Sequence, residues 1–239
     1  MPVFRSIVFS AALAGLIVGV VISIAQFFGT VPLILQSEVY ERKAAATPPA
    51  AHNHDVAAKD KDNPPAHENE WEPEEGFQRN AFTVGANILT AIGFALLLTG
   101  AYAIRGRHVT WREGLLWGLA GFVVFTAAPG LGLPPELPGM PVADLTARQT
   151  WWIATAAATA GGLCLLALSS AGWSAVLGLA LIALPHLIGA PLAPESHSAV
   201  PAALSHRFVV VVTLTSLLFW ALLGVATSVA FERISRPQS

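Results

Sequence analysis

Imidazole is the commonest neutral metal ligand in proteins, so the seven histidines of this 239-residue chain are the first places to look for chemistry. His52 and His54 form a His-x-His pair, and His67 follows them, among Asp55, Glu68, Glu70, Glu72, Glu74 and Glu75. Imidazole together with carboxylate suits borderline divalent ions such as Co²⁺, Ni²⁺ and Zn²⁺. The spacing lacks the closed pattern of a structural zinc site, so the chemistry on offer is weak capture of an ion at a surface. The plain alternative is a solvated polar loop that binds nothing. His186 stands apart, three residues before Gly189, and Gln26 stands three residues before Gly29, the matching glycine earlier in the chain. At equivalent depth inside a bundle, such groups would line the way in for an ion; at the headgroup level they would be met by water and lipid. His197 and His206 lie a little further on, and Glu136 and Glu195 add oxygen donors near the same boundary.

Other chemistries find no support. There is no Gly-x-Ser-x-Gly elbow, no His-Glu-x-x-His and no glycine loop for phosphate, so no enzyme is expected. The single cysteine, Cys164, excludes an intramolecular disulfide, a zinc ribbon and iron–sulfur ligation. No resident cofactor is expected; a metal ion would be cargo. A net charge of -2 gives no long-range field for nucleic acid. With 54% apolar and 12% charged residues, the composition is that of a protein whose solvent is lipid.

Apolar segments must hold these groups in place. A bilayer core takes roughly 20 apolar residues per helix. Stretches free of Asp, Glu, Lys and Arg cover 6–28, 80–104, 114–133, 149–168, 174–188 and 208–231. A charge at a helix centre costs about 2.5–3.5 kcal/mol on insertion scales, so this clean sorting predicts an all-α integral membrane protein. The expected architecture is a single membrane domain, 1–239, with about six transmembrane helices, of which 174–188 is the shortest. Arg5 before an apolar run also suits a signal peptide. That run is about twice a usual h-region and lacks a small-x-small cleavage site, so a retained span is expected.

Basic residues set the orientation. Arg5, Arg105, Arg107, Arg112, Arg233 and Arg236 fall on one side, whereas Arg148 and Arg207 on the other are offset by Glu136, Asp144 and Glu195. Both termini are then cytoplasmic, and every histidine except His108 belongs to the outer side. The long segment 29–79 lies outside too, and its Ala-, Pro- and charge-rich part, 43–73, reads as a flexible outer loop.

The outer turns repeat one another. Gly29-Thr30-Val31-Pro32 precedes Glu38, Gly132-Leu133-Pro134-Pro135 precedes Glu136, and Gly189-Ala190-Pro191 precedes Glu195. Glu136 to Arg148 spans the same distance in sequence as Glu195 to Arg207, and Arg79 plays the equivalent part for the first unit. Three helical hairpins result, each rising, turning at a Gly-x-Pro and descending after an arginine, with Glu–Arg pairs to close the turns. Gly15/Gly19 and Gly114/Gly118 are small pairs that let helices approach closely. Asn87, Thr83, Thr90, Thr155 and Thr159 are expected to bond to helix carbonyls or to a neighbouring helix. The seven tryptophans mostly fall near helix ends, as interfacial anchors do.

Four segments resemble the CbtA family, the predicted bacterial cobalt transporter subunit. They are EWEPEEGFQR at 70–79, GLLWGLAGFVVFTAAPGLGLPPELPG at 114–139, RQTWW at 148–152 and PHLIGAP at 185–191. The resemblance covers nearly the whole chain. It implies a protein of the bacterial inner (cytoplasmic) membrane, linked to cobalt uptake for cobalamin synthesis and working with CbtB, a small one-helix companion bearing a histidine motif. It carries over no metal-binding residues, so the candidates stay those named above. Two functions remain open: a membrane subunit that conducts Co²⁺, or Ni²⁺, inward, and a non-transporting scaffold or metal-sensing accessory protein.

Overall fold

The computed structural model describes residues 2–46, 73, 76–193 and 198–235. Helices joined by short connections make up this part of the chain, and no strand occurs among the described residues. Four long apolar helices are continuous: α1 (Pro2–Phe28), α3 (Phe77–Arg105), α6 (Leu145–Leu168) and α8 (Ala202–Ser235). A fifth span is composite. Its first part, α4 (Trp111–Phe122), passes through a π-helical turn at Val123–Ala127 into the short α5 (Ala128–Gly132). The turn falls just before Pro129, whose ring would clash with the carbonyl four residues back in a regular α-helix. These five are long and apolar enough to cross a membrane. The 17-residue α7 (Gly172–Ile188) is apolar but short. At the α-helical rise it measures about 26 Å, close to the roughly 30 Å hydrocarbon core, in keeping with about six spans.

Ends are set by residues that satisfy orphan backbone groups. Thr110 and Glu113 form a reciprocal capping box at the start of α4. The Asp144 carboxylate accepts the Ala147 N–H at 2.9 Å to open α6. Gly106, at φ 63°, closes α3 in the left-handed region that glycine adopts without strain. Most helices overrun the charge-free stretches by a few residues, because a helix satisfies its own backbone through the headgroup region, where charged side chains reach water.

Small residues decide which helices touch. A Cβ on Gly15 would sit 2.6 Å from the Ile92 backbone, and one on Gly19 would sit 2.6 Å from Ile88, so α1 and α3 lie antiparallel in close contact. Gly114 and Gly118 of α4 meet Gly224 of α8 backbone to backbone, and Gly162 of α6 meets Gly178 of α7. The hairpins read from chain order are therefore distributed in space. The first stays a packed pair, whereas α7 lies on α6 and α8 crosses to α1 and α4. The core between α1, α3 and α8 holds Ala91, Ala95, Tyr102, Trp220 and Leu223, all buried. Trp220 stacks on Phe125 at 5.5 Å with a 6° interplanar angle, so this tryptophan is core and not an anchor, unlike the exposed Trp111 and Trp173.

The segment after α1 departs from a plain loop. Its first part is a second helix, α2 (Val31–Ala46), so residues 43–46 of the stretch expected to be flexible are helical. Residues 47–72, 74 and 75 lie outside the described residues. Leu33 of α2 is buried with Leu137, Val200 and Phe208, and the Ser37 hydroxyl donates to the Pro138 carbonyl at 3.3 Å. α2 thus ties the turns after α5 and before α8 into one cap.

Candidate functional site

Beside this cap, α1, α2, α3 and α8 border a half-open cavity of about 530 Å³. The end of α1 builds one wall. Its last turn closes through Gly29 N–H to Ala25 O (2.9 Å) and Thr30 N–H to Gln26 O (3.0 Å). α2 then starts with Pro32 in its first turn, where a missing N–H costs nothing. Gln26 lines the cavity from α1, Thr30 from the turn after it, Arg79, Asn80 and Thr83 from α3, and Thr215 and Ser216 from α8; Ile34, Phe208 and Val212 supply apolar wall.

A polar relay leads from the cavity down between α1 and α3. The Asn87 amide nitrogen donates to Gln26 Oε1 at 2.7 Å and to Ser23 Oγ at 3.1 Å. Ser23 Oγ in turn donates to the Gly19 carbonyl at 2.8 Å. At the rim, Arg79 Nη2 meets Glu38 Oε1 of α2 at 2.6 Å, and Arg42 approaches the other Glu38 oxygen at 3.8 Å. Among the described residues the cavity lining therefore holds one guanidinium, met by a carboxylate at hydrogen-bond distance.

The sequence candidates are dispersed. Gln26 lines the cavity. His186 does not line it; its half-buried ring packs 5.9 Å from the Trp151 ring of α6, next to a 3.4 Å bond from Trp151 Nε1 to the Pro185 carbonyl. Gln26 and His186 are thus held in different surroundings. His206 is exposed near the start of α8. Glu136 faces Arg148 at 3.0 Å, closing its turn as Glu38 and Arg79 close theirs. His52, His54, His67, His197 and Glu195 lie outside the described residues. Among the described residues no three of His, Cys, Asp and Glu converge as a metal site. At the opposite end, His108 Nδ1 lies 3.0 Å from Glu232 Oε2, and Glu232 Oε1 accepts the Val109 N–H at 2.7 Å.

Asn80, Thr215 and Ser216 carry the site without having been singled out. A usable signal was present: Ser23 and Gln26 on α1 with Thr30 just past its end, and Asn80, Thr83 and Asn87 on α3, both follow the i, i+3, i+7 spacing of one helix face. Asn87 does bond to a neighbouring helix, and Thr83 and Thr155 do bond back to carbonyls, at 2.9 and 2.8 Å. Among the described residues Thr159 departs from this, its buried hydroxyl having no partner, and the exposed Thr90 makes no such bond.

Comparison with curated proteins and with solved structures returns no match. The cavity, part polar and part apolar in its lining, borders a hydrogen-bonded relay between membrane-length helices. The family model described as "Probable cobalt transporter subunit (CbtA)" matches residues 4–232, and the chain belongs to that family of probable cobalt transporter subunits.

Proposed function

We propose that this chain is the membrane subunit of a Co²⁺ uptake transporter of the bacterial inner membrane, serving cobalamin synthesis and working with a small one-helix CbtB-type companion. Ni²⁺ shares the ligand preferences of Co²⁺ and is the second candidate cargo. Both termini face the cytoplasm in this reading, and the cavity opens outward. The observation that carries it is the Gln26–Asn87–Ser23 relay beneath the cavity. A dication cannot enter hydrocarbon unless polar groups replace bulk water, and this relay offers them about a turn beyond the Gly19–Ile88 contact of α1 with α3. His52, His54, His67, His197, His206 and Glu195 would concentrate the ion at the outer surface for Gln26 to receive. His186 would serve the outer end of the α6–α7 pair, while Glu136 closes its own turn with Arg148. An inside-negative potential supplies about 2.3 kcal/mol per charge per 100 mV, hence about 4.6 kcal/mol for a dication.

Uptake of labelled cobalt by cells expressing the chain with its companion is the direct test. Replacing Gln26 and Asn87 by leucine together should lower uptake about tenfold at equal protein abundance, the equivalent of roughly 1.4 kcal/mol. Unchanged uptake would remove the cavity from the route. The second reading, a scaffold or metal-sensing accessory, is favoured by the lack of a three-ligand cluster among the described residues. Metal binding without flux in liposomes containing the purified chain and its companion would select it.

A further inference from the structure

Building on the transport reading above, we infer that the cavity receives its dication with the water shell intact, recognising metal-bound water by side-chain oxygens and not ligating the metal. The described lining is composed of hydroxyl and amide groups, one guanidinium and apolar wall; no His, Cys, Asp or Glu is among the described residues that line it. The carboxylate tied to it, Glu38, is engaged by Arg79 at 2.6 Å and approached by Arg42. Neutral hydroxyls alone are poor compensation for stripping a strongly hydrated dication.

The hydrogen-bond directions fit the hydrated ion. Thr83 Oγ1 gives its proton to the Arg79 carbonyl at 2.9 Å, and Thr30 Oγ1 gives its own to the Gln26 carbonyl at 3.2 Å. Both oxygens therefore keep only lone pairs to offer elsewhere. Water bound to a cation points its hydrogens outward, so its partners must be acceptors. Size also agrees. Six waters at about 30 Å³ each fill about 180 Å³, well inside a cavity of about 530 Å³. A retained shell moreover keeps the metal away from the Arg79 guanidinium, which is itself held against Glu38.

Hexaamminecobalt(III) separates the two modes, because its six ammonia ligands exchange too slowly to be stripped and present only N–H donors. Added in about tenfold excess over saturating Co²⁺ to cells expressing the full chain with its companion, it should lower labelled Co²⁺ uptake by about tenfold if bound as tightly as the hydrated ion. Calorimetric titration of the purified full chain should show binding, weakened about tenfold in a Thr83→Val, Ser216→Ala variant that elutes as folded protein. Uptake that proceeds and yields to Ni²⁺ but not to the hexaammine complex would overturn outer-sphere recognition and leave transport standing. Binding that the variant leaves unchanged would overturn the assignment to this cavity. Absence of any Co²⁺ uptake would instead overturn the transport reading, and this inference with it.

Discussion

Asn87 gives both amide hydrogens to α1, one to Ser23 and one to Gln26, and nothing else described joins those two side chains to α3. Leucine at this position keeps the volume and removes both donors. Membrane hydrogen bonds of this kind average about 0.6 kcal/mol and reach about 1.7 kcal/mol. Asn87→Leu should therefore lose about 1 kcal/mol in an SDS-driven unfolding titration, a change too small to abolish folding and large enough to measure. The residue types were legible in the sequence, but their convergence was not. Gln26 and His186 each stand three residues before a glycine, a spacing that measures depth along a helix and says nothing of which neighbour that helix faces. The structure sets Gln26 against α3 and His186 against Trp151.

Helices meet here through glycine, and the same residue type has opposite tolerance on different faces. A Cβ on Gly224 would strike the Gly114 carbonyl and lie 2.9 Å from Gly118, backbone that cannot give without separating α4 from α8. Gly224→Ala should cost about 1–3 kcal/mol, seen as a lower folded fraction in the same SDS titration. Nothing lies within 4 Å of a Cβ on Gly93 of α3, so Gly93→Ala should leave the folded fraction unchanged. The α3–α4 connection depends on Glu232 of α8, which accepts the Val109 N–H and meets His108. Glu232→Ala should cost about 1–2 kcal/mol and speed proteolysis between α3 and α4 in inverted membranes. The spans and small-residue pairs were readable from charge sorting and spacing. α2 was not, since its mixed composition hides it; Pro32 at its start and Glu38/Arg42 at i, i+4 were the local signs.

For the whole molecule, orientation is testable with a single-cysteine set, since Cys164 is the one native cysteine and is exposed on α6. In a Cys164→Ser background, Ala199→Cys should react with a membrane-impermeant maleimide in intact cells. Arg107→Cys should react only after lysis. The reverse pattern would turn the proposed topology over. Charge sorting alone determined that this chain is a helical membrane protein of about six spans, because the cost of a charge in hydrocarbon acts on each helix independently and needs no partner to be felt. Which helices touch, and so where α1, α2, α3 and α8 leave a polar hollow, was decided only in three dimensions. Lipid is as apolar as leucine, so hydrophobicity does not choose neighbours in a membrane; close backbone approach at glycine and a few interhelical hydrogen bonds do, and both require two surfaces to be matched at once.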